Sequence, residues 1–207
     1  MNAYADDIAK SLYGGATLSE ISDQQALGVQ PAGFTFAIWG LIYSLLLIFT
    51  IYQTLPSSWV EGRNDEFFFN EMGWLWSLNM LATAAWLPVF QSNTVTGFAV
   101  SWVLIAFTLT TALLMNKRAH NADLNWIETI AFQAGTSVYS GWLCAATILN
   151  TSMLLKASGI AEGWDETFWS ITILWVAAVI YGTNAYLNED AIFGAVFIWA
   201  CFGIQAL

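Results

Sequence analysis

Aromatic side chains recur at helical spacing in an apolar run near the start of the chain, and they are the first residues whose types suggest chemistry. Phe36, Trp39 and Tyr43 stand at positions i, i+3 and i+7, which places them on one helical face. Tryptophan and tyrosine each offer a flat apolar ring and one hydrogen-bond donor, which suits a planar, mostly apolar ligand. This stripe therefore indicates either a ligand cavity between helices or the packing of one helix on another.

Two later apolar runs carry comparable stripes that mix a tryptophan with hydroxyl or amide side chains. One stripe consists of Asn79, Thr83, Trp86 and Phe90. The other consists of Tyr139, Trp142, Ala146 and Asn150. Asn79 lies near the middle of its run, where an amide costs several kcal/mol unless another helix or a ligand pairs it. We therefore expect all three stripes to face the interior.

Helix packing alone is also consistent with these stripes. Aromatic side chains commonly pack between helices, and Asn, Thr and Ser commonly bridge them. The small residues Gly135, Gly141 and Ala145 allow neighbouring backbones to approach closely, and packing explains them adequately. The residues by themselves leave packing and a ligand cavity both open.

The composition shows which environment must position these residues. The chain has 207 residues, of which 57% are hydrophobic and only 10% are charged. Soluble domains carry about 25% charged residues, so this chain has too few to cover a water-facing surface. It is predicted to be an all-α, polytopic transmembrane helical bundle in a bacterial inner membrane or an organelle membrane. The net charge of −10 argues against a nucleic-acid partner.

Six apolar runs are long enough, or nearly so, to cross the roughly 30 Å hydrocarbon core of a bilayer. The predicted spans are 31–54, 69–90, 95–116, 126–155, 167–187 and 190–207. Most connections are short, which predicts antiparallel neighbours in an up-and-down bundle. Residues 1–30 are too polar to span and are predicted to form an extra-membrane, amphipathic segment.

Several kinds of chemistry find no support in the sequence. No lysine lies inside a predicted span, so a retinal Schiff base has no attachment point. The one histidine, His120, lies in a polar turn, which argues against a histidine-ligated haem or metal within the membrane. Cys144 and Cys201 lie inside apolar runs and are interpreted as small buried side chains. No nucleophile–base pair can be assembled, so we predict that the protein is not an enzyme and holds no covalent cofactor.

Two acidic residues lie near the membrane plane, and each has two interpretations. Glu71 and Glu128 fall in the first turn of predicted helices, where the helix dipole stabilises a carboxylate. A structural role is the favoured interpretation. A proton relay is the alternative.

Three motifs resemble those of the TspO/MBR family, the tryptophan-rich sensory proteins and translocator proteins. "PAGFTFAIWGLIY" carries a proline, a tryptophan and a tyrosine in the family's register at Pro31, Trp39 and Tyr43, with Gly33 where an aromatic residue usually stands. "WLPVF" and "VYSGWLCAATILN" match two further helices of the family, with Thr83 in place of an asparagine and Val138 in place of a proline. The motifs cover about residues 18–155.

The resemblance implies a TspO-like transmembrane core over 31–155, followed by two additional helices over 156–207. It also implies that the family's first helix is missing or reduced to residues 2–13, which would remove one wall of the expected cavity. The implied ligand is a porphyrin or other tetrapyrrole, or a sterol, bound, transported or sensed in a cavity between helices. The candidate ligand-binding residues are Trp39, Tyr43, Asn79, Trp86, Tyr139, Trp142, Ala146 and Asn150.

An alternative function is an accessory or structural subunit of a larger respiratory or photosynthetic membrane complex, holding lipids or pigments. The acidic loops and the extra aromatic helices motivate this alternative. Both functions predict contact with membrane lipids and an assembled state, either a homodimer or a subunit of a larger complex.

Overall fold

Helices account for the architecture of this protein. The computed structural model describes residues 28–29, 31–60 and 62–205, and no strand occurs in those ranges, which confirms the predicted all-α class. The six main helices are α1 (Ile38–Thr54), α2 (Gly73–Gln91), α3 (Val95–His120), α4 (Ala134–Ala157), α5 (Glu166–Leu187) and α6 (Ala191–Gln205). Each one falls within or beside one of the six predicted spans.

Tighter or wider helical turns precede three of these helices. A 3-10 turn, Gly33–Ala37, runs directly into α1. A π-helical turn, Phe67–Met72, leads into α2, and a second one, Thr129–Gln133, leads into α4. The apolar pattern predicts to within a few residues where the continuous helical segments that include these turns start, but it does not predict these local changes of helical pitch.

Among the residues that the structure describes, four continuous helical segments are long and apolar enough to cross a membrane. They are Gly33–Thr54, Val95–His120, Trp126–Ala157 and Glu166–Leu187. Helix α2, which carries Ser77, Asn79 and Pro88, is not among these four, and α6 is apolar but has only 15 residues. The chain is therefore an integral membrane protein built as a helical bundle.

Polar side chains cap the helices where the chain turns. Thr94 accepts a hydrogen bond from the Gly97 amide at the start of α3, and Asp165 accepts one from the Phe168 amide at the start of α5. Before α4, Asn125 and Glu128 form a reciprocal capping box. These caps satisfy amides that have no partner inside the helix, and so they fix the points at which the spans begin.

Helix α4 lies at the centre of the bundle. It packs along α3 and against α6, and it also contacts α1 and α5, while α3 packs along α2 on its other side. Gly141 allows the close approach of α6, because a Cβ at this position would lie 3.0 Å from the Cβ of Val196. The prediction that small residues on this helix permit close packing is confirmed for Gly141.

Helix α6 is hydrogen-bonded to the segment that leads into α1. The Ala32 amide donates to the Gly203 carbonyl over 2.9 Å, and Trp199 Nε1 donates to the Thr35 carbonyl over 3.0 Å. The Phe34 ring meets the Trp199 ring edge-on, with 5.8 Å between centroids. Helix α6 therefore forms a wall beside α4 and the start of α1.

The predictions for residues 1–30 fall largely outside the residues that the structure describes. The extra-membrane segment 1–30, with the missing or reduced first helix at 2–13, lies outside the described residues except for Gly28 and Val29. Residues 31–155 and 156–207 are described apart from Glu61, Ala206 and Leu207. The division into a core and two additional helices stays a prediction, because α6 packs directly on α4.

Candidate functional site

Two small voids lie beside the central helix, among the aromatic stripes of α1, α2 and α4. The first void, about 10 Å³, is lined by Trp39, Thr83, Trp86, Ile105, Thr108, Leu143 and Ala146. The second void, about 40 Å³, is lined by Phe36, Trp86, Phe90, Ala146, Leu149, Asn150 and Met153. Trp86 and Ala146 line both, so the voids are neighbours. We call the two voids together the indole cleft.

Trp86 carries the most distinctive polar group of the cleft. Its indole Nε1 is buried and has no hydrogen-bond partner among the described residues. The Trp86 ring stacks on Phe90 one turn later, with 5.1 Å between centroids and 26° between the planes. An unsatisfied buried donor costs about 1–3 kcal/mol, so this N–H is a place where a ligand with an acceptor oxygen or nitrogen would gain affinity.

Pro88 lies between Trp86 and Phe90 inside α2. A proline in a helix has no N–H to donate and its ring clashes with the carbonyl four residues earlier, so the helix bends or loosens there. The family-like "WLPVF" sequence therefore places a deformable point of α2 next to the indole that separates the two voids.

Beside the cleft, a buried polar network joins α2, α3 and α4. Asn79 Nδ2 donates to the Thr108 carbonyl and to Thr111 Oγ1, each over 2.8 Å, and Tyr139 Oη donates to Asn79 Oδ1 over 2.8 Å. The Thr83 and Tyr139 hydroxyls are also 2.8 Å apart. Protein groups thus pair the amide of Asn79 completely, and neither Asn79 nor Tyr139 lines either void.

Asn150 supplies a polar edge to the second void. It is buried, and its Nδ2 donates to Ser101 Oγ of α3 over 3.2 Å. Ala146, one turn earlier on the same face, is the small residue that leaves space beside Trp86. The sequence-predicted Trp39, Trp86, Ala146 and Asn150 are therefore brought together at the cleft.

Two other predicted site residues lie elsewhere. Tyr43 stacks on Trp39 with 5.3 Å between centroids, but 56% of its surface is exposed, so the expectation that it faces the interior is wrong. Trp142 meets Trp39 edge-on at 6.4 Å, yet it lines neither void of the cleft and instead lines a separate space beside α5 and α6.

The sequence does not predict that α3 contributes side chains to the indole cleft. Ile105 and Thr108 line the first void, although no stripe is predicted on this helix. A signal was present in the spacing of Ser101, Thr108 and Thr111, which are buried hydroxyls inside an apolar span. They lie seven and three residues apart, hence on one face. The face carries no tryptophan, which is why it does not stand out.

At the membrane edge, a charged cluster ties the loop after α1 to the start of α4. Arg63 Nη1 donates to the carbonyls of Tyr52 and Leu55 over 3.0 and 2.7 Å, which caps the C-terminal end of α1. The hydrogen bond from the Arg63 guanidinium, with a second one from Ser57, lowers the pKa of the Asp65 carboxyl below its usual range.

Glu128 is the buried acid of this cluster. It accepts hydrogen bonds from the Asn125 amide over 2.9 Å and from the Asn64 amide over 3.0 Å, and the Tyr52 hydroxyl lies 3.3 Å away. These contacts give it the structural role that the sequence favoured. Within the described residues, no three His, Cys, Asp or Glu side chains are grouped to hold a metal ion.

The fold and the cleft define a helical membrane protein with an aromatic space between its spans. The model of the family described as TSPO-like protein matches residues 2–206, nearly the whole chain. This chain belongs to the TSPO-like protein family, as its motifs indicate. The match extends beyond the 18–155 that the motifs cover, and it includes α5 and α6. No curated protein and no solved structure matches the chain.

Proposed function

We propose that this protein binds a tetrapyrrole or sterol-like molecule in the indole cleft, as a step in its transport or sensing. The observation that carries the proposal is the buried, unpartnered indole N–H of Trp86 at the boundary of two apolar voids. Membership of the TSPO-like family and the positions of Trp39, Trp86, Ala146 and Asn150 at this cleft support the same function.

Each side chain of the cleft has a separate task in this proposal. Trp39 offers a ring face to a flat ligand, and Trp86 donates a hydrogen bond to a carboxylate, hydroxyl or carbonyl oxygen. Asn150 presents a polar edge at the far end of the second void. Ala146 leaves the space that the ligand fills. The chemistry is binding, because no step of bond making is assigned to these residues.

The size of the cleft requires a movement on binding. Pockets for small molecules are typically about 300–1,000 Å³, and the voids, at about 10 and 40 Å³, lie far below that range. A macrocycle therefore fits only if the cleft opens, with the Trp86 ring that lines both voids swinging aside and the helices around the cleft moving apart. The neighbouring Pro88 is where α2 yields most easily.

A titration with protoporphyrin tests the proposal. Dissociation constants are taken from tryptophan quenching in detergent, for wild type and for Ala146→Phe, which fills both voids. We expect Ala146→Phe to weaken binding at least about tenfold, equivalent to about 1.4 kcal/mol. Trp86→Phe should weaken it about two- to twelvefold, the value of one net hydrogen bond. Val103→Phe, on the outward face of α3 with 60% of Val103 exposed, is the matched control. Equal dissociation constants for all four proteins would refute the proposal.

A second function, that of an accessory subunit docked in a larger membrane assembly, is favoured by the outward face of α5. Phe168, Trp175 and Tyr186 are 72%, 70% and 83% exposed on this helix. Large rings of this kind serve contacts with lipid or with another protein. Native electrophoresis of mild-detergent extracts distinguishes a subunit of a larger assembly from a protein that acts by itself. A chain that migrates only as a monomer or dimer excludes the accessory role.

A further inference from the structure

A pocket separate from the indole cleft lies at the far end of α1, where the loop after α1 meets the start of α2. It lies between Phe49 on α1, Arg63 and Asp65 in the loop, and Phe68 and Trp76 at the start of α2. Its volume is about 220 Å³, and we call it the loop pocket. It shares no lining residue with the indole cleft, and it does not depend on ligand binding there.

One wall of the loop pocket is aromatic. The Phe49 ring is 1% exposed, and its centroid lies 5.1 Å from that of Phe68 and 5.0 Å from that of Trp76. The Phe69 ring, which is 79% exposed, also lines the pocket. Gly73 contributes only backbone to the lining, so no side chain fills the space there. The faces of aromatic rings are electronegative and attract a cation.

One anion and one cation complete the lining. Asp65 and Arg63 are hydrogen-bonded to each other, and a pocket with both charges suits a zwitterion better than a group of net charge. Both oxygens of Asp65 already accept hydrogen bonds, one from Arg63 and one from Ser57. A primary ammonium, which has three donors to satisfy, finds these acceptors partly used. A trimethylammonium group has no N–H donor, so ring faces and a nearby negative charge suffice to hold it.

Exposed indoles place the loop pocket at the level of the lipid headgroups. Trp59 in the loop, Trp74 in the first turn of α2 and Trp126 before α4 are 75%, 83% and 73% exposed. Asn125 Nδ2 donates to the Gly62 carbonyl over 3.2 Å, so the start of the fourth span and the loop lie at the same end of the bundle. Exposed indoles at the ends of spans favour the headgroup region of a bilayer.

The size of the loop pocket suits a headgroup rather than a whole ligand. Its volume of about 220 Å³ is below the roughly 300–1,000 Å³ of pockets that enclose entire small molecules. The exposed residues Phe69 and Ser77 line it, so it is open to the surroundings of the protein. A phospholipid can therefore insert its headgroup while its acyl chains stay in the bilayer.

From these features we propose that the loop pocket binds the headgroup of a phospholipid of the phosphatidylcholine type. The trimethylammonium group lies against the rings of Trp76 and Phe69, beside the Asp65 carboxylate. The phosphate lies on the side of Arg63. The lipid is held at the end of the bundle that α1 reaches, away from the indole cleft.

A competition between lipids tests the proposal. The full chain is reconstituted in nanodiscs with equal parts of phosphatidylcholine, phosphatidylethanolamine and phosphatidylglycerol that have the same acyl chains. After release into a mild detergent, native mass spectrometry counts the molecules of each lipid that stay bound. We expect phosphatidylcholine to be retained about two- to thirtyfold more than either other lipid, the range of one cation–π contact.

Ring variants assign this preference to the loop pocket. Trp76→Leu should reduce the ratio of phosphatidylcholine to phosphatidylethanolamine to about one. Trp74→Leu, two positions earlier on α2 at a residue outside the lining, should leave the ratio unchanged. Phe69→Leu should also lower the ratio, and because the Phe69 ring is 79% exposed this variant does not disturb the core. Circular dichroism checks that each variant keeps its helices, and a ratio within one variant is independent of its yield.

The carboxylate is tested with a matched pair of its own. Asp65→Asn removes the negative charge beside the rings and should lower the ratio of phosphatidylcholine to phosphatidylethanolamine. Glu66→Gln removes a neighbouring charge that is exposed and does not line the pocket, so it should not change the ratio.

Free choline distinguishes a lipid headgroup from a soluble amine as the ligand. Choline chloride at about 1 mM should not displace phosphatidylcholine from the protein in detergent, because the soluble amine lacks the phosphate and the acyl chains. Displacement at this concentration would make a soluble amine the ligand and would overturn the assignment to a lipid.

Three further results would overturn the proposal. The first is equal retention of the three lipids by the wild type. The second is a preference for phosphatidylethanolamine or phosphatidylglycerol. The third is a preference for phosphatidylcholine that Trp76→Leu, Phe69→Leu and Asp65→Asn all leave unchanged, which would place the lipid on another surface.

Discussion

At the scale of single residues, the indole and amide groups divide into those that the protein pairs and those that it leaves unpaired. Asn79 is paired completely by Thr108, Thr111 and Tyr139. Trp86 and Trp142 are buried with their N–H groups unpaired within the described residues. Residues of the same stripe therefore have different roles. Asn79 holds helices together through hydrogen bonds, whereas the indoles of Trp86 and Trp142 line voids between helices.

The hydrogen bond between Tyr139 and Asn79 leads to a prediction about the stability of the protein. Tyr139→Phe removes the hydroxyl that donates to Asn79 Oδ1 and leaves a buried acceptor without its partner. We expect a loss of about 1 kcal/mol, within the range measured for hydrogen bonds between membrane helices. Thermal unfolding in detergent measures it, and Tyr186→Phe, at a residue 83% exposed, is the control. A Tyr139→Phe midpoint equal to wild type would show that the network does not stabilise the bundle.

At the scale of helices, the aromatic stripes are predictable from spacing, but the direction in which each face points is not. The spacing places Trp39 and Tyr43 on the same side of α1, yet Tyr43 is exposed. The buried part of α1 covers only a portion of its circumference, and Tyr43 lies beyond that portion. Likewise Trp142 and Ala146 share a stripe, but they line different spaces on the two flanks of α4. Only the neighbours of a helix decide which part of a stripe is interior.

Helix α6 packs closely against the segment that leads into α1, and the motifs alone do not predict this contact. Gly203 packs against Thr35, and a Cβ on Gly203 would lie 2.1 Å from Thr35 Oγ1. We expect Gly203→Ala to destabilise the protein by about 1–3 kcal/mol, because Thr35 is buried and its backbone is hydrogen-bonded to Trp199. Thermal unfolding measures the effect.

Gly182→Ala in α5 is the matched control, since no atom lies within 4 Å of a Cβ at that position. It should be neutral or stabilising, because alanine favours helix. Adding Thr35→Ala to Gly203→Ala should restore part of the lost stability. Equal midpoints for the two glycine variants would show that α6 does not pack closely on the entrance of α1.

The loop between α1 and α2 carries a pH-dependent contact. The pKa of Asp65 is lowered by the hydrogen bonds from Arg63 and Ser57, so the native state favours the carboxylate. Its contribution to stability is full above the usual Asp pKa of about 3.9 and is lost as the pH falls through the lowered value. We expect the midpoint difference between wild type and Asp65→Asn to disappear on acidification from about pH 7 to about pH 2. A difference that stays constant or grows towards low pH would contradict this assignment.

At the scale of the whole molecule, the sequence predicts the class, the six helices and the family, because apolar length and motif spacing are local properties. It does not predict that α4 is the centre of the bundle, or that α3 lines the first void through Ile105 and Thr108. These features depend on contacts between segments far apart in the chain. The result is a central helix with the indole cleft on one flank and a separate apolar space, beside α5 and α6, on another.

The most direct test of this account is an experimentally determined structure of the protein loaded with protoporphyrin. We expect ligand density in the indole cleft, against Trp39, with a ligand oxygen or nitrogen about 3 Å from Trp86 Nε1 and the Trp86 ring displaced so that the two voids join. Density confined to the lipid-facing surface, with Trp86 unmoved and both voids empty, would contradict it.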